Sequence, residues 1–324
     1  MKERKDMIAH IAIITVILII LIVSVYKLVK WNQGNPEAGA VETDENFDVE
    51  TEDYITAMNE DLLKNHPDDG KTSIVFLGDD ILADYTGEDG IPEQVVSLMG
   101  SDNPAEVYNC AFSNMTASAS NSFWDDTHPE DAFSLYWVTK SITLNDYTLL
   151  NNVVEDVNPD YKDTIKTMES IDFNTVDVIA IMYGINDYLN GKQITDPADP
   201  ANTVAFTGAL NSSIALIKEA YPHIRIVVLS PTYCQIEQDG KLTGCDTANT
   251  GYGILADYMV AAKAIAVEDN VTFLDNYYGV DINSDTTDQY LEENHVHPNA
   301  AGRKLIAQRI ADLLSKDTSA STQE

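Results

Sequence analysis

Short apolar runs set the frame of this chain. Residues 74–77, 176–182, 224–229 and 271–274 are mostly Ile, Leu, Val, Phe, Ala and Met, and 105–112 is a weaker fifth run. Each is too short for a typical helix and suits a strand buried on both faces. Helical patterns lie between them, so the pattern predicts a three-layer α/β domain with a five-stranded, mostly parallel sheet. The first run ends in Gly78-Asp79-Asp80, which reads as a turn. In open α/β sheets, ligands bind in the crevice beyond the carboxyl ends of the strands. Asp80 is therefore the first candidate functional residue.

The intervening helices carry local signals. Pro92 sits where the first turn of a helix begins. His128-Pro129 breaks the chain and leads into a helix expected to start near Ala132. Residues 161–169, 253–268 and 299–315 read as helices, the last through Ile306, Ile310, Leu313 and Leu314. The stretch 203–220 is a long helical pattern that contains Gly208. A glycine inside a helix costs about 1 kcal/mol relative to alanine, so a start near Ala209 is expected. Trp124, Tyr136 and Trp137 fall in an aromatic-rich stretch that reads as packing beside the sheet. Trp124, next to Asp125 and Asp126, is also a candidate wall for a carbohydrate pocket.

Ahead of this domain, residues 7–26 are nearly continuous Ile, Leu, Val and Ala. About 20 apolar residues match the hydrocarbon thickness of a bilayer. The run passes straight into Lys27-Leu28-Val29-Lys30-Trp31 with no small-residue cleavage site, so an uncleaved anchor is expected rather than a removed signal peptide. Tyr26 and Trp31 suit the interface. The main domain is expected outside the cytoplasm, since long domains translocate largely regardless of charge. The expected divisions are a tail and anchor over 1–31, an acidic spacer with a short helix over 32–70, the α/β domain over 71–316 and a polar tail over 317–324. The short helix is expected over 54–64, with Ile55, Met58 and Leu62 on one side.

The formal net charge is -34, from 53 acidic and 19 basic residues. Such a surface repels nucleic acid and anionic headgroups, so a nucleic-acid partner is excluded. Cys234 and Cys245 bracket a hairpin-like excursion around Asp239-Gly240. Outside the cytoplasm a disulfide is able to staple it, and two free thiols is the alternative. Cys110 reads as a buried small hydrophobe. No Cys/His spacing suits a structural zinc site, and no cofactor is expected.

Four spots near strand ends carry polar residues suited to chemistry. They are Asp80, Asn114, Gly184-Ile185-Asn186-Asp187 and Asn294-His295-Val296-His297-Pro298. An asparagine amide donates to a developing oxyanion, and a loop histidine serves as a general base. Any one of these residues alone is an ordinary turn former.

Together they resemble the SGNH, or GDSL, hydrolases over about residues 72–315. The resemblance implies a flavodoxin-like three-layer fold. Gly78-Asp79-Asp80 is similar to the family's Gly-Asp-Ser turn with the last residue changed. Asn114 falls at the second-block glycine. Gly184 to Asp187 keeps the Gly-x-Asn-Asp block, and Asn294 to Pro298 is similar to Asp-x-x-His-Pro with its acid changed. The resemblance places an oxyanion hole at the N–H of residue 80, the N–H of Asn114 and the side chain of Asn186. It makes His297 the base and residue 294 the group that orients it.

The departures decide the expected chemistry. Position 80 has no hydroxyl for a histidine to activate. Attack by a carboxylate on an ester would give a mixed anhydride. A charged Asp80 about 4 Å from an oxyanion would oppose it by about 4 kcal/mol at an effective dielectric near 20. The expected protein is thus membrane-anchored and extracytoplasmic, degenerate as a serine esterase, and a binder of an acylated envelope glycan or similar ligand. Two alternatives stay open. One is an active esterase or acyltransferase in which Asp80 and His297 activate water, or a divalent ion sits among Asp79, Asp80, Asp187 and His297. The other is a structural cell-surface protein.

Overall fold

Five parallel strands form the centre of the domain. They are β1 Thr72–Gly78, β2 Ala105–Asn109, β3 Val178–Met182, β4 Arg225–Leu229 and β7 Thr272–Leu274. The remaining two, β5 Gln235–Gln238 and β6 Lys241–Gly244, form a separate antiparallel hairpin. With the hairpin set aside, the parallel strands run 2-1-3-4-5, the flavodoxin-like doubly wound order. The computed structural model describes residues 51–56, 66 and 70–320. The apolar segment 7–26 lies outside them. Among the described residues no helix is long and apolar enough to cross a membrane.

The apolar runs account for the middle of the sheet. Ile74, Val75, Phe76 and Leu77 are fully buried, and all five residues of both β3 and β4 are buried. β2 is only half-buried along its length, as befits an edge strand. The polar exceptions are paired. Asp177, just ahead of β3, accepts from the Ser73 N–H at 2.7 Å and so ties β3 to the start of β1.

Helical connections join the parallel strands. The helix Ile91–Met99 packs against the long C-terminal helix Ala300–Ala320, and the helices Leu135–Leu144 and Leu255–Glu268 pack against Phe206–Ala220. Pro92 opens its helix as expected. The expected helix from Ala132 is instead a 3-10 turn over Pro129–Phe133 followed by Leu135–Leu144, which Asn145 ends with φ 49°. A separate helix, Thr148–Val157, follows.

Two expectations are corrected here. The helix expected to start near Ala209 begins at Phe206 and contains Gly208. A Cβ at position 208 would lie 2.1 Å from the Asn202 carbonyl oxygen, so the glycine serves close packing against the 202 loop rather than a helix boundary. Residues 54–56 are not helical either. Tyr54 forms an antiparallel bridge with Phe273, with main-chain hydrogen bonds of 2.9 and 2.8 Å. Arg309 grips both carboxylate oxygens of Asp53 at 2.9 Å. This segment shields the otherwise open edge of β7. The rest of the expected helix, 57–64, lies outside the described residues.

The hairpin around Asp239-Gly240 is present, but the staple is not. Cys110, Cys234 and Cys245 are all buried free thiols. The Cys234 N–H reaches the Cys245 sulfur at 3.2 Å.

Candidate active site

The sheet order reverses between β1 and β3, and the candidate residues gather at their carboxyl ends. Gly78 closes β1 against β3, where a Cβ would stand 2.7 Å from the Met182 carbonyl oxygen. Asp79 then caps the one-turn helix Asp80–Ala83 by accepting from the Ile81 N–H. This cap leaves Asp80 at the first helical position, 5% exposed, just beyond the carboxyl end of β1.

The Asp80 carboxylate takes three donors. Its Oδ1 accepts the Asn114 N–H at 2.7 Å and the Asn186 side-chain amide. Its Oδ2 faces His297 Nε2 at 3.1 Å. Four of the five expected site residues, Asp80, Asn114, Asn186 and His297, are thus brought together.

The charges agree with that geometry. Burial pushes the Asp80 carboxyl up, but hydrogen bonds from His297, Asn186, Asn114 and its own N–H outweigh this and hold it below its ordinary value. The Asp80 hydrogen bond raises His297 above its ordinary value against the opposing effect of burial. Asp79 behaves oppositely. Full burial, and then the neighbouring Asp80 charge, push its carboxyl well up. The two adjacent acids of the turn are thus shifted in opposite directions.

Asn114 stands in the left-handed region with φ 59°. Among residues with side chains, asparagine is one of the few that adopt it readily. Its side chain lies in solvent and donates to the Ser113 hydroxyl at 3.0 Å. The neighbouring loop is pinned by the Tyr161 hydroxyl, which donates to the Ser113 carbonyl.

Asn294 does something other than expected. Its side-chain oxygen accepts the main-chain N–H of Val296 at 3.0 Å and of His297 at 2.9 Å. Among the described residues no hydrogen bond joins it to the His297 ring. It holds the shape of the loop, in which His295 is left-handed with φ 58°. The ring is held instead from the Nε2 side by Asp80.

Sequence reasoning missed Arg303, which is 4% exposed behind this loop. Its guanidinium donates to the Pro298 carbonyl at 2.7 Å, the Asp89 carbonyl at 2.8 Å and the Glu292 carboxylate at 3.1 Å. It also lies 3.6 Å above the Tyr85 ring, and Tyr85 and His297 meet in a T-shaped pair with centroids 6.4 Å apart. The one sequence signal was an arginine one turn into the final helix of a strongly acidic domain. Glu292, two residues before Asn294, is engaged by this arginine.

Asp187, named in the sequence with the third block and with the metal alternative, holds the site together from behind. Fully buried, it accepts the N–H groups of Ala117 at 2.8 Å and Ser118 at 3.0 Å. Asn186 and Asp187 thus divide the work: the first reaches the Asp80 carboxylate, and the second fixes the loop after Asn114.

A carboxylate held by two amide donors at the end of β1, with a histidine from the last loop against it, is the arrangement the sequence blocks describe. The profile of the GDSL-like lipase/acylhydrolase family matches residues 76–305. The chain belongs to that family. Two solved structures superpose with TM-scores of 0.53 and 0.51, each at 18% identity. Each alignment covers 76% of this chain and 97% or 98% of the other, and the second structure is a protein from Lactobacillus plantarum. Est24, a carbohydrate acetylesterase from Sinorhizobium meliloti, aligns at 14% identity over 76% of this chain and 99% of its own, with a TM-score of 0.45. The first two likenesses concern the fold alone. No curated protein matches the chain.

In GDSL terms, two of the three donors expected to form the oxyanion hole, the Asn114 N–H and the Asn186 amide, are spent on Asp80. The metal alternative fares poorly on the same ground. Asp79 is committed to Ile81 and Asp187 to residues 117 and 118. Among the described residues no group of three His, Cys, Asp or Glu side chains converges to hold an ion.

Proposed function

We propose that this GDSL-family chain is a membrane-anchored, extracytoplasmic protein that has exchanged serine-esterase chemistry for binding, and that its ligand is an acylated envelope glycan. The observation that carries the loss of chemistry is the Asp80 Oδ1 atom, which accepts both the Asn114 N–H and the Asn186 amide. The carboxylate stands where a reacting oxygen would need to sit, and its charge opposes an oxyanion there. The ion pair with His297 ties the last loop to β1, so the crevice keeps its shape without a nucleophile.

The anchor rests on the apolar run 7–26. The ligand class rests on family membership and on that location, an analogy rather than a property of the fold. The test uses the full chain in detergent with an O-acetylated polysaccharide and its deacetylated form. Saturable binding that favours the acetylated polymer, with no acetate released, is expected. Steady acetate release, or equal indifference to both polymers, would overturn the reading.

A further inference from the structure

A second feature lies along the loop that leaves the oxyanion position. From Asn114 the chain runs through two carboxylate clamps. Asp187 holds the N–H groups of Ala117 and Ser118. The buried Asp131 then holds those of Ser120 at 2.7 Å and Asn121 at 3.0 Å. The Ser122 hydroxyl donates to the Asn202 side chain at 2.9 Å. The loop is thereby a fixed platform.

The platform carries an open cleft of about 530 Å³ lined by Asn121, Ser122, Phe123, Trp124, Asp125 and Asp126. Phe123 is 84% exposed, an unusual state for so large an apolar ring on a pinned loop. Trp124 is locked in place: its indole N–H donates to Asp126 at 2.7 Å, and its ring meets Trp137 edge-on at 5.8 Å. The Asn121 side-chain nitrogen is buried and has no hydrogen-bond partner among the described residues.

We infer that this cleft is a glycan-binding subsite, in which Phe123 and Trp124 stack on a pyranose face while Asp125 and Asp126 accept its hydroxyls. Rigid aromatics bring large contact area at small entropic cost. Ionised carboxylates keep lone pairs free beyond the bonds they already make. An open cleft suits an internal unit of a polymer better than a small molecule, which favours enclosure. The acidic surface disfavours anionic ligands, so the chemistry fits a neutral glycan. Asn121 lies seven positions after Asn114, a reach of at most about 25 Å. One polymer chain is therefore able to touch both places.

This inference deepens the binding function proposed above, and the test separates the two. The full chain in detergent is titrated with chitohexaose and with cellohexaose by calorimetry and tryptophan fluorescence. The inference expects saturable binding of at least one oligosaccharide, weakened at least tenfold by Phe123→Ala and unchanged by Leu242→Ala, which trims an exposed apolar side chain on the β5–β6 hairpin. Phe123 is exposed, so its truncation leaves the fold intact. Binding that survives Phe123→Ala but falls with Asp80→Asn would move the glycan to the Asp80 crevice, overturning the subsite and leaving the binding function standing. Saturation by neither oligosaccharide would overturn the subsite as well.

Discussion

The Asp80 Oδ1 atom lies 2.7 Å from the main-chain nitrogen of Asn114. A donor that the fold places at the mouth of the crevice is thus satisfied from within, by the side chain at the nucleophile position. The same oxygen takes the Asn186 amide, and the other oxygen faces His297. Removing the carboxylate charge should be felt by all three partners.

The pH dependence of stability follows from the two opposite shifts. Asp80 is held below its ordinary 3.8, so its contribution is present above that value and is lost as pH falls through the lower folded-state value. His297 is raised above its ordinary 6.5, so its contribution is full below 6.5 and is lost as pH rises through the higher folded-state value. The pair therefore stabilises most between about pH 4 and 6.5. Denaturant midpoints across pH should show this maximum, and Asp80→Asn should flatten it. In the same variant, NMR titration should show the His297 value falling back. An unchanged His297 titration would mean that the pair does not form.

Asn114 tests the backbone demand at the second block. At φ 59° a glycine is tolerated and an alanine is strained. Asn114→Gly should change stability by less than about 0.5 kcal/mol, whereas Asn114→Ala should cost about 1–2 kcal/mol. Thermal melts of the two variants side by side measure the difference. Equal melting points would contradict the left-handed assignment.

Arg303 tests the support behind the histidine loop. Arg303→Met leaves the Pro298 and Asp89 carbonyls without their donor and Glu292 without its partner. A loss of about 2–4 kcal/mol is expected, because the guanidinium is buried although Glu292 is partly in solvent. Hydrogen exchange should quicken first over residues 291–298. Arg303→Lys should recover only part of the loss, since a lysine cannot fork to several acceptors.

Gly208 tests the close approach of a loop to a helix. Gly208→Ala gains helix propensity of about 1 kcal/mol, yet its methyl would meet the Asn202 backbone at 2.1 Å. Overpacking against backbone should win, with a net loss of about 1–3 kcal/mol in chemical denaturation.

The sheet was legible because four of its five strands are apolar runs buried on both faces, and burial of that kind leaves a mark on sequence. Asp80, Asn186 and His297 were legible because strand ends and loop blocks fix where they emerge. The role of Asn294 was not. Spacing says that it lies three residues before His297, but the rotamer that turns its oxygen to the loop N–H groups rather than to the ring is set by local geometry. Gly208 misled for a related reason. Helix propensity registers the missing side chain but not the carbonyl of Asn202 that needs the space. Tyr54 reads as part of a helical pattern, and only the unpaired edge of β7, remote in sequence, explains why it is extended.

The most direct measurement is hydrolysis of a small acetyl ester by the full chain, by its Asp80→Ser variant and by the double variant Asp80→Ser, Asn294→Asp. The first change removes the carboxylate from Asn114 and Asn186 and sets a hydroxyl near His297. The second returns an acid to the loop. The native chain should show no turnover above buffer, and the double variant should gain activity that disappears with His297→Ala. Turnover by the native chain that is lost with His297→Ala would contradict the account, because it would mean that Asp80 and His297 form a working catalytic pair rather than a closed one.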